Sequence, residues 1–505
     1  MLRAPMISTL LISFGLVAQT PAPTGPVRLS LQEAIKTSLE NNLQVQVAVE
    51  TRESAKAGVL IERGSFDWTL GSSLSYGRTK SASIRSSNSQ SIPGATATYD
   101  TETTATSRNL SASLSKPFEW GGNLSVNYGS PSGSLYNSAI SSGTGFITLA
   151  DGTVQPSFPF GPTPSSPYRY SSSLGATYTQ SLLRNFGTGV TGSRLIVARK
   201  TAEAANFGYQ KSIIDLVAST ESLYWDVVFA QRNLENKQQA LTLAQKQLKE
   251  NRIRVEVGTL APIEVTSAEA SVAQREQDII AAEAQFDNAK DALIRALYPS
   301  TARPAGLELT DAPTLSHITV DEKGAEKMAL ERRVELKSAR LDLESKQILE
   351  GASKNRLMPQ LDAYVSYQGN SNTRETWSSV NSDLTGAKYP GYSAGLTFAI
   401  PIFNHAAKGT LAQASANRRS SQLTMRDLEL GITLEVRTAF RNVDATEKGV
   451  KAAEKTRIFR AKDLEAEQKK YENGMSTNFL VLSKQNDLDT AKSAELQSQI
   501  SYAKA

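Results

Sequence analysis

The sequence has 505 residues, a formal net charge of +5 at neutral pH, no cysteine and two histidines, His317 and His405. The length exceeds what one compact core usually holds, and the lack of cysteine excludes disulfides, thiolate metal sites and cysteine nucleophiles. The histidines leave little for general-base or metal chemistry, and beyond the N-terminal segment acids and bases are interspersed, so no nucleic-acid footprint is read.

Residues 1–22 read as a secretory signal. Arg3 is the positive start, Met6 to Val17 is a short apolar core, and Ala18 or Ala22 is the cleavage end. That run is too short to cross a bilayer as a helix, and no later segment has about 18 consecutive apolar residues. Export without helical anchors leaves a periplasmic protein, a secreted one or a β-barrel.

Residues 29–63 read as an amphipathic helix, with Leu31, Ala34, Ile35, Leu39 and Leu43 on one face, Ser30 as its cap and Gly64 as its end. The period then becomes two. Phe66, Trp68, Leu70, Leu74 and Tyr76 alternate with small or polar residues. Residues 78–107 read as a Ser/Thr-rich loop. Alternation returns at Leu110, Ala112 and Leu114, a turn follows at Pro117, Gly121 and Gly122, and Leu124, Val126 and Tyr128 alternate again. Residues 129–167 read as a second long loop, before a strand with Tyr170, Leu174, Ala176 and Tyr178 on one face.

These strands read as about nine to thirteen residues long, apolar on one side and small or polar on the other, which is the pattern of transmembrane β-strands. A soluble β-sandwich also alternates. Two features favour the membrane: the long loops, and aromatics near strand ends at Trp68, Phe118, Trp120, Tyr128 and Tyr170, where an interfacial girdle would lie.

From about 190 to 256 the pattern is helical again. Leu216, Leu223, Val227, Leu234, Leu241 and Leu248 form a coiled-coil seam on a helix roughly 100 Å long. A turn at 257–262, a helix at 262–298 and a proline-marked linker at 299–318 follow. The second half then repeats the order. A helix spans 321–356, a β-hairpin spans 360–401 with Trp377 in its loop, and a long helix spans 405–472 with Val436, Val443 and Val450 at heptad spacing. A turn at 473–478 leads to a last helix at 479–505.

The two helical turns read RIRVEVGTLAPIEVTSAEAS (252–271) and QKKYENGMSTNFLVLSKQND (468–487). Gly258 and Gly474 stop the first helix of each pair, because glycine accepts the left-handed C-cap conformation. Pro262 and Thr477 suit the start of the second helix. A hairpin made twice at matching points is an internal repeat. The short helices of the first half together match the length of its long helix, so they can stack end to end beside it as a tube wall attached to a barrel.

GTGVTG (187–192) has the spacing of a dinucleotide loop, but an unbroken helical pattern follows where a parallel strand would be needed, so the glycines read as a strand-to-helix bend. Asp226 and Glu235 lie on a mostly polar helix face with no base or nucleophile beside them. No catalytic constellation, cofactor site or metal site is read.

The chain resembles the TolC-like outer-membrane efflux protein family over nearly the whole mature sequence. The carrying residues are LSLQEAIKTSLENN (29–42), SLLRNFG (181–187) with its counterpart PIFN (401–404), VGTLAPIEVTSAEA (257–270) and YENGMSTNFLVL (471–482). The resemblance implies a homotrimer whose protomers share one outer-membrane β-barrel continuing into an α-helical coiled-coil tunnel through the periplasm. It implies docking onto a periplasmic adaptor (membrane fusion) protein that serves an inner-membrane pump or, in type I secretion, an ABC transporter. Family members usually give four strands per protomer; here 108–129 reads as an extra hairpin that would make six, unless it is part of a loop system outside the membrane.

By the same resemblance, Glu264 matches an acidic residue of the tunnel entrance, where a ring of three carboxylates would favour cations and hold a gate. An acid in a first helical turn also simply stabilises the helix dipole. Tyr471 matches a tyrosine of the closing network, or packs between helices. Ser476 stands where relatives often carry arginine, and Leu480 and Ser483 stand where they can carry acids, so a ring here would be weaker. Gly258, Thr259, Leu260, Ala261, Gly474, Met475, Ser476 and Thr477 are small and mostly uncharged, which suits both turn chemistry and end-to-end docking against an adaptor hairpin. Two functions remain open: a passive export channel without its own energy source, and a barrel-anchored periplasmic scaffold without transport.

Overall fold

The computed structural model describes residues 26–88, 96–140, 146–156, 169–298, 306–313, 321–372 and 376–505. The signal-like residues 1–22 and parts of both Ser-rich loops and of the proline linker lie outside the described residues.

The chain opens with β1 (Pro26–Leu29), α1 (Leu31–Asn41) and α2 (Leu43–Gly64). Ser30 caps α1 in a capping box, its hydroxyl accepting from Glu33 N while the Glu33 carboxylate accepts from Ser30 N. The strands β2 (Thr69–Asn88), β3 (Thr96–Pro117) and β4 (Gly122–Ile140) follow. After them come the short β5 (Phe146–Thr148) and β6 (Val154–Pro156), then β7 (Arg169–Ser181). A helical turn, α3 (Thr188–Thr191), leads into α4 (Ser193–Glu256) and α5 (Ile263–Leu297). The second half has β8 (Gly306–Leu309), α6 (Glu322–Arg332), α7 (Val334–Asn355), β9 (Gln360–Asn370), α8 (Trp377–Thr385), β10 (Tyr389–Ala399), α9 (His405–Glu472) and α10 (Asn478–Lys504).

Several elements differ from the sequence reading. The opening helix breaks at Asn42, which adopts extended backbone and gives its side chain to both sides: its Oδ1 accepts from Gln44 N at 2.8 Å and its Nδ2 donates to Ala296 O at 3.1 Å. The helix of the second half breaks likewise at Arg333. The resulting pieces have 11 and 22 residues in both halves. Most of 78–107 is strand, not loop, and β4 runs on to Ile140. Alternation fades there because Ser and Thr occupy both faces; a strand needs alternating hydrophobicity only where one face is apolar. The linker holds β8, and Trp377 opens a helix rather than lying in a loop.

The chain divides into two compact units. One comprises residues up to Ser54, Glu203–Leu341 and Leu423–Ala505. Its core gathers Leu29, Ala34, Tyr224, Trp225, Val227, Val228, Leu293, Leu297 and Ile500. Here β1 pairs with β8 in parallel, Pro26 opposite Gly306 and Leu29 opposite Leu309. The fully buried Tyr224 hydroxyl bridges this pair to α4, donating to Leu29 O at 3.1 Å and accepting from Asp311 N at 3.2 Å. Asp311 Oδ2 in turn accepts from Leu31 N at 2.7 Å.

The other unit comprises Ala55–Ala202 and Asp342–Gln422 and holds one antiparallel sheet. Its long strands lie in the order β10-β9-β7-β4-β3-β2, and the β5-β6 hairpin extends from β3. Among the described residues β2 pairs only with β3, and β10 only with β9, so both edges are open. One face is apolar and exposed: Leu70, Leu74, Tyr392 and Leu396 are 77, 80, 79 and 69% exposed. The other face carries cross-strand hydroxyl pairs, Ser73 with Ser111 at 2.8 Å and Ser366 with Ser393 at 2.7 Å. Where strand turns to helix, Asn185 and Asn404 take left-handed backbone (φ 63° and 47°). Asn355 holds the first junction, accepting from Asn185 N at 2.7 Å and donating to Leu183 O at 3.1 Å.

Tyr224→Phe takes the acceptor from the half-buried Asp311 N–H and leaves the buried Leu29 carbonyl only its longer bonds from Thr310, the nearer from Thr310 N at 3.3 Å, a loss of about 1–3 kcal/mol. The purified protein is expected to unfold at a clearly lower temperature, whereas Tyr298→Phe at the rim of the same core should change the midpoint little. Equal midpoints for wild type and Tyr224→Phe would show that the bridge is not structural.

Candidate functional site

The two helical hairpins of the first unit end in turns of the same construction. Gly258 and Gly474 have φ of 79° and 73°, a region costly for any side chain with a Cβ. Thr259 N returns to Arg254 O at 2.8 Å and Met475 N to Lys470 O at 2.8 Å, closing the last turn of α4 and of α9. The Thr477 hydroxyl accepts from Leu480 N at the start of α10. On α5, Glu264 is in the first turn, where its charge also meets the helix dipole.

Directly behind the turns, polar side chains from all four helices meet out of solvent. Asn251 of α4, fully buried, is the hub. Its Oδ1 accepts from Gln247 Nε2 at 3.0 Å and from the Tyr471 hydroxyl at 3.2 Å, and its Nδ2 reaches Glu264 O at 3.5 Å. Asn478 of α10, also buried, donates to the Glu264 carboxylate at 3.1 Å and accepts from Gln247 at 3.3 Å. The structure therefore brings Glu264 and Tyr471 into one network. Burial pushes the Tyr471 phenol up, the Arg254 guanidinium opposes this, and the Glu264 charge adds to it. Arg254 stacks over the Tyr471 ring at 4.7 Å.

Ser476 donates a short hydrogen bond to the Glu467 carboxylate, which Lys470 also contacts at 3.2 Å. These two bonds hold the Glu467 carboxyl below its ordinary range. Further along the same helices, buried Asp489 of α10 accepts from Lys237 of α4 at 2.7 Å and from buried Arg275 of α5 at 3.0 Å. The hairpins are thus cross-linked twice by largely buried polar groups, and the buried ones depend on their partners.

The remaining tip residues, Gly258, Thr259, Ala261, Gly474, Met475 and Thr477, are exposed, and Leu260 is half-buried. Sequence reasoning missed Asn251, Asn478 and Gln247, and of the apolar residues that flank the turns it named Met475 but not Val257, Ile263 or Phe479. Val257, Ile263, Met475 and Phe479 are 66, 69, 72 and 69% exposed. A run of apolar side chains beside a turn is unusual enough on a solvated surface to have been noticed.

Of the aromatics on the strands, Trp68 and Trp120 are about half exposed at the end of the sheet where the helices attach. Trp120 stacks on Phe118 at 4.5 Å and donates to the Tyr178 hydroxyl at 3.1 Å. Tyr128 lies mid-strand in β4, beneath Asn381 of α8, and Tyr170 lies near the start of β7. No helix among the described residues is long and apolar enough to cross a membrane.

Residues 163–297 and 326–505 match the family described as outer membrane efflux protein. No protein of curated function matches the chain by sequence. Among solved structures, the fold is similar to the outer membrane protein VceC from Vibrio cholerae (13% identity, TM-score 0.61), covering 94% of this chain and 93% of that one. It is similar to a membrane protein from Pseudomonas aeruginosa (16%, 0.62; 97% and 95%) and to the CmeC outer membrane channel from Campylobacter jejuni (14%, 0.59; 94% and 83%).

Asn251→Leu takes the acceptor from the buried Tyr471 hydroxyl and leaves Gln247 with Asn478 alone, and amide exchange around Gly258 and Gly474 is expected to accelerate by about tenfold or more; unchanged exchange would remove Asn251 as the hub. The Glu467 contact has a definite pH sense. A carboxyl whose folded pKa is lowered stabilises the fold above its unfolded pKa and loses that contribution as pH falls through the folded value. Exchange at the Gly474 turn, corrected for intrinsic rates, should stay flat to below the ordinary carboxylate range and then rise, and Ser476→Ala should move that rise to higher pH.

Proposed function

The chain belongs to the outer membrane efflux protein family, a family of non-enzymatic transport conduits, and from that premise we propose that it is the outer-membrane channel of a tripartite efflux pump or a type I secretion system. Three copies share one barrel, with six strands from each, and a helical tunnel in the periplasm. Substrate passes through passively, handed on by an inner-membrane transporter and its periplasmic adaptor.

The observation that carries this reading is the pair of open sheet edges. Bare backbone edges are excluded from hydrocarbon, so a sheet with an apolar exposed face needs further strands to close it. The edges suit one another: β2 leaves the helix-bearing end and β10 returns to it, so the two run in opposite directions and a copy can pair antiparallel with its neighbour. The hydroxyl-lined opposite face suits a wet lumen. Glu264 and Tyr471 are the entrance candidates, joined by Asn251 and Asn478 in a network that would have to yield for the hairpins to part. The exposed apolar rim of Val257, Ile263, Met475 and Phe479 beside the small turn residues suits an adaptor's helical hairpin.

The test is planar-bilayer conductance of the purified trimer. A small cation-selective conductance is expected, with Glu264→Gln reducing cation preference or raising open probability. Unchanged conductance in Glu264→Gln would remove that residue from the constriction. Silence of both forms, with the adaptor and transporter added, would favour a barrel-anchored scaffold over a conduit.

A further inference from the structure

The apolar face of β2 and β3 ends at a sharp chemical boundary. Residues of equal parity share that face, and the register sets Leu70 opposite Leu114, Ser72 opposite Ala112, Leu74 opposite Leu110 and Tyr76 opposite Arg108. The next positions on β2, moving away from the helices, are Arg78 and then Lys80, opposite Thr106 and Thr104. Arg78, Lys80 and Arg108 are all exposed. The Arg108 guanidinium lies 5.9 Å from the centre of the Tyr76 ring, and Arg78 is the diagonal cross-strand neighbour of Arg108. The acids of this hairpin come further out, Glu102 opposite Ala82 and Asp100 opposite Ile84.

The opposite boundary of the apolar face is equally marked. Lys116 lies 5.4 Å from the Trp68 ring and 5.8 Å from the Phe118 ring. Lys116 and Arg108 are eight residues apart on β3. That is about 27 Å along a strand and roughly 20 Å along the membrane normal at a barrel tilt near 40°, close to the height of an apolar barrel belt of about 25 Å. The two arginines therefore stand at headgroup level in the leaflet away from the helices, which is the outer leaflet if the helices are periplasmic. A guanidinium fork is the side chain best matched to phosphate oxygens.

We infer that Arg78 and Arg108, with Tyr76 beneath them and Lys80 alongside, form a site on the outer wall of the barrel for the phosphate of a phosphorylated glycolipid in the outer leaflet. The inference rests on the barrel reading above. It concerns the lipid side of the sheet, away from lumen and tip.

The test uses the full-length protein reconstituted in phosphatidylcholine vesicles containing either bisphosphorylated lipid A or its dephosphorylated form. Wild type, Arg78→Ala/Arg108→Ala and Arg78→Lys/Arg108→Lys are compared. Phosphorylated lipid A should raise the wild-type unfolding midpoint by about 2–4 °C over the dephosphorylated form. The difference should vanish in the alanine pair and survive in part in the lysine pair. Equal midpoints for wild type in the two lipids, or the full difference in the alanine pair, would overturn the site while leaving the barrel intact. Carbonate extraction separates the two levels: wild type released from both vesicle types would overturn the barrel reading and the lipid site with it.

Discussion

A peptide group in hydrocarbon has no water to bond, and that single constraint organises the strand-bearing part of this chain. Every internal strand satisfies its backbone through two neighbours, yet β2 and β10 each present an open edge within the chain. A soluble protein would blunt such edges with charge, proline or a covering loop. Here the strand faces beside them carry Leu70, Leu74, Leu396 and Phe398, all well exposed. Exposed apolar faces and open edges together leave apolar surface and backbone groups that further strands would have to cover.

The helical part meets a different constraint. Four helix ends converge at the two turns, and much of what fills the space between them is polar: Asn251, Gln247, Asn478, Tyr471 and Glu264. Apolar side chains would pack there as well, and could do so in several registers. Hydrogen-bonded amides have few acceptable arrangements, so they specify one alignment of the hairpins at some cost in stability. The Arg275–Asp489–Lys237 cluster repeats the device further from the tip.

Much of this was legible in the sequence where local chemistry decides. The left-handed glycines at 258 and 474 and the caps at Ser30 and Thr477 follow from backbone geometry that a few residues impose. The strands were legible only where one face is apolar. Beyond Tyr76 the Ser/Thr-rich stretch pairs residue for residue with β3 through Asn88 against Thr96, but nothing in its composition distinguishes strand from loop. The β1–β8 pair was illegible because four residues carry too little pattern. Of the network behind the turns, Glu264 and Tyr471 came from resemblance, whereas Asn251 and Asn478 gave no signal, since an amide on a helix reads as surface until its neighbours are known.

The β1–β8 ladder also bears on the order in which the chain folds. Arg28 and Glu308, joined across it, are 280 residues apart in sequence. The ladder cannot form until β8 has emerged after the whole first half, and closing so long a loop delays the contact. Until then the first strand lacks its ladder partner, and the Leu29 carbonyl has Tyr224 but not Thr310 to accept from. The strand β1 is therefore among the last pieces to lock, and a chain whose first half is built but whose second has not emerged carries there a loose segment that a protease or chaperone could recognise.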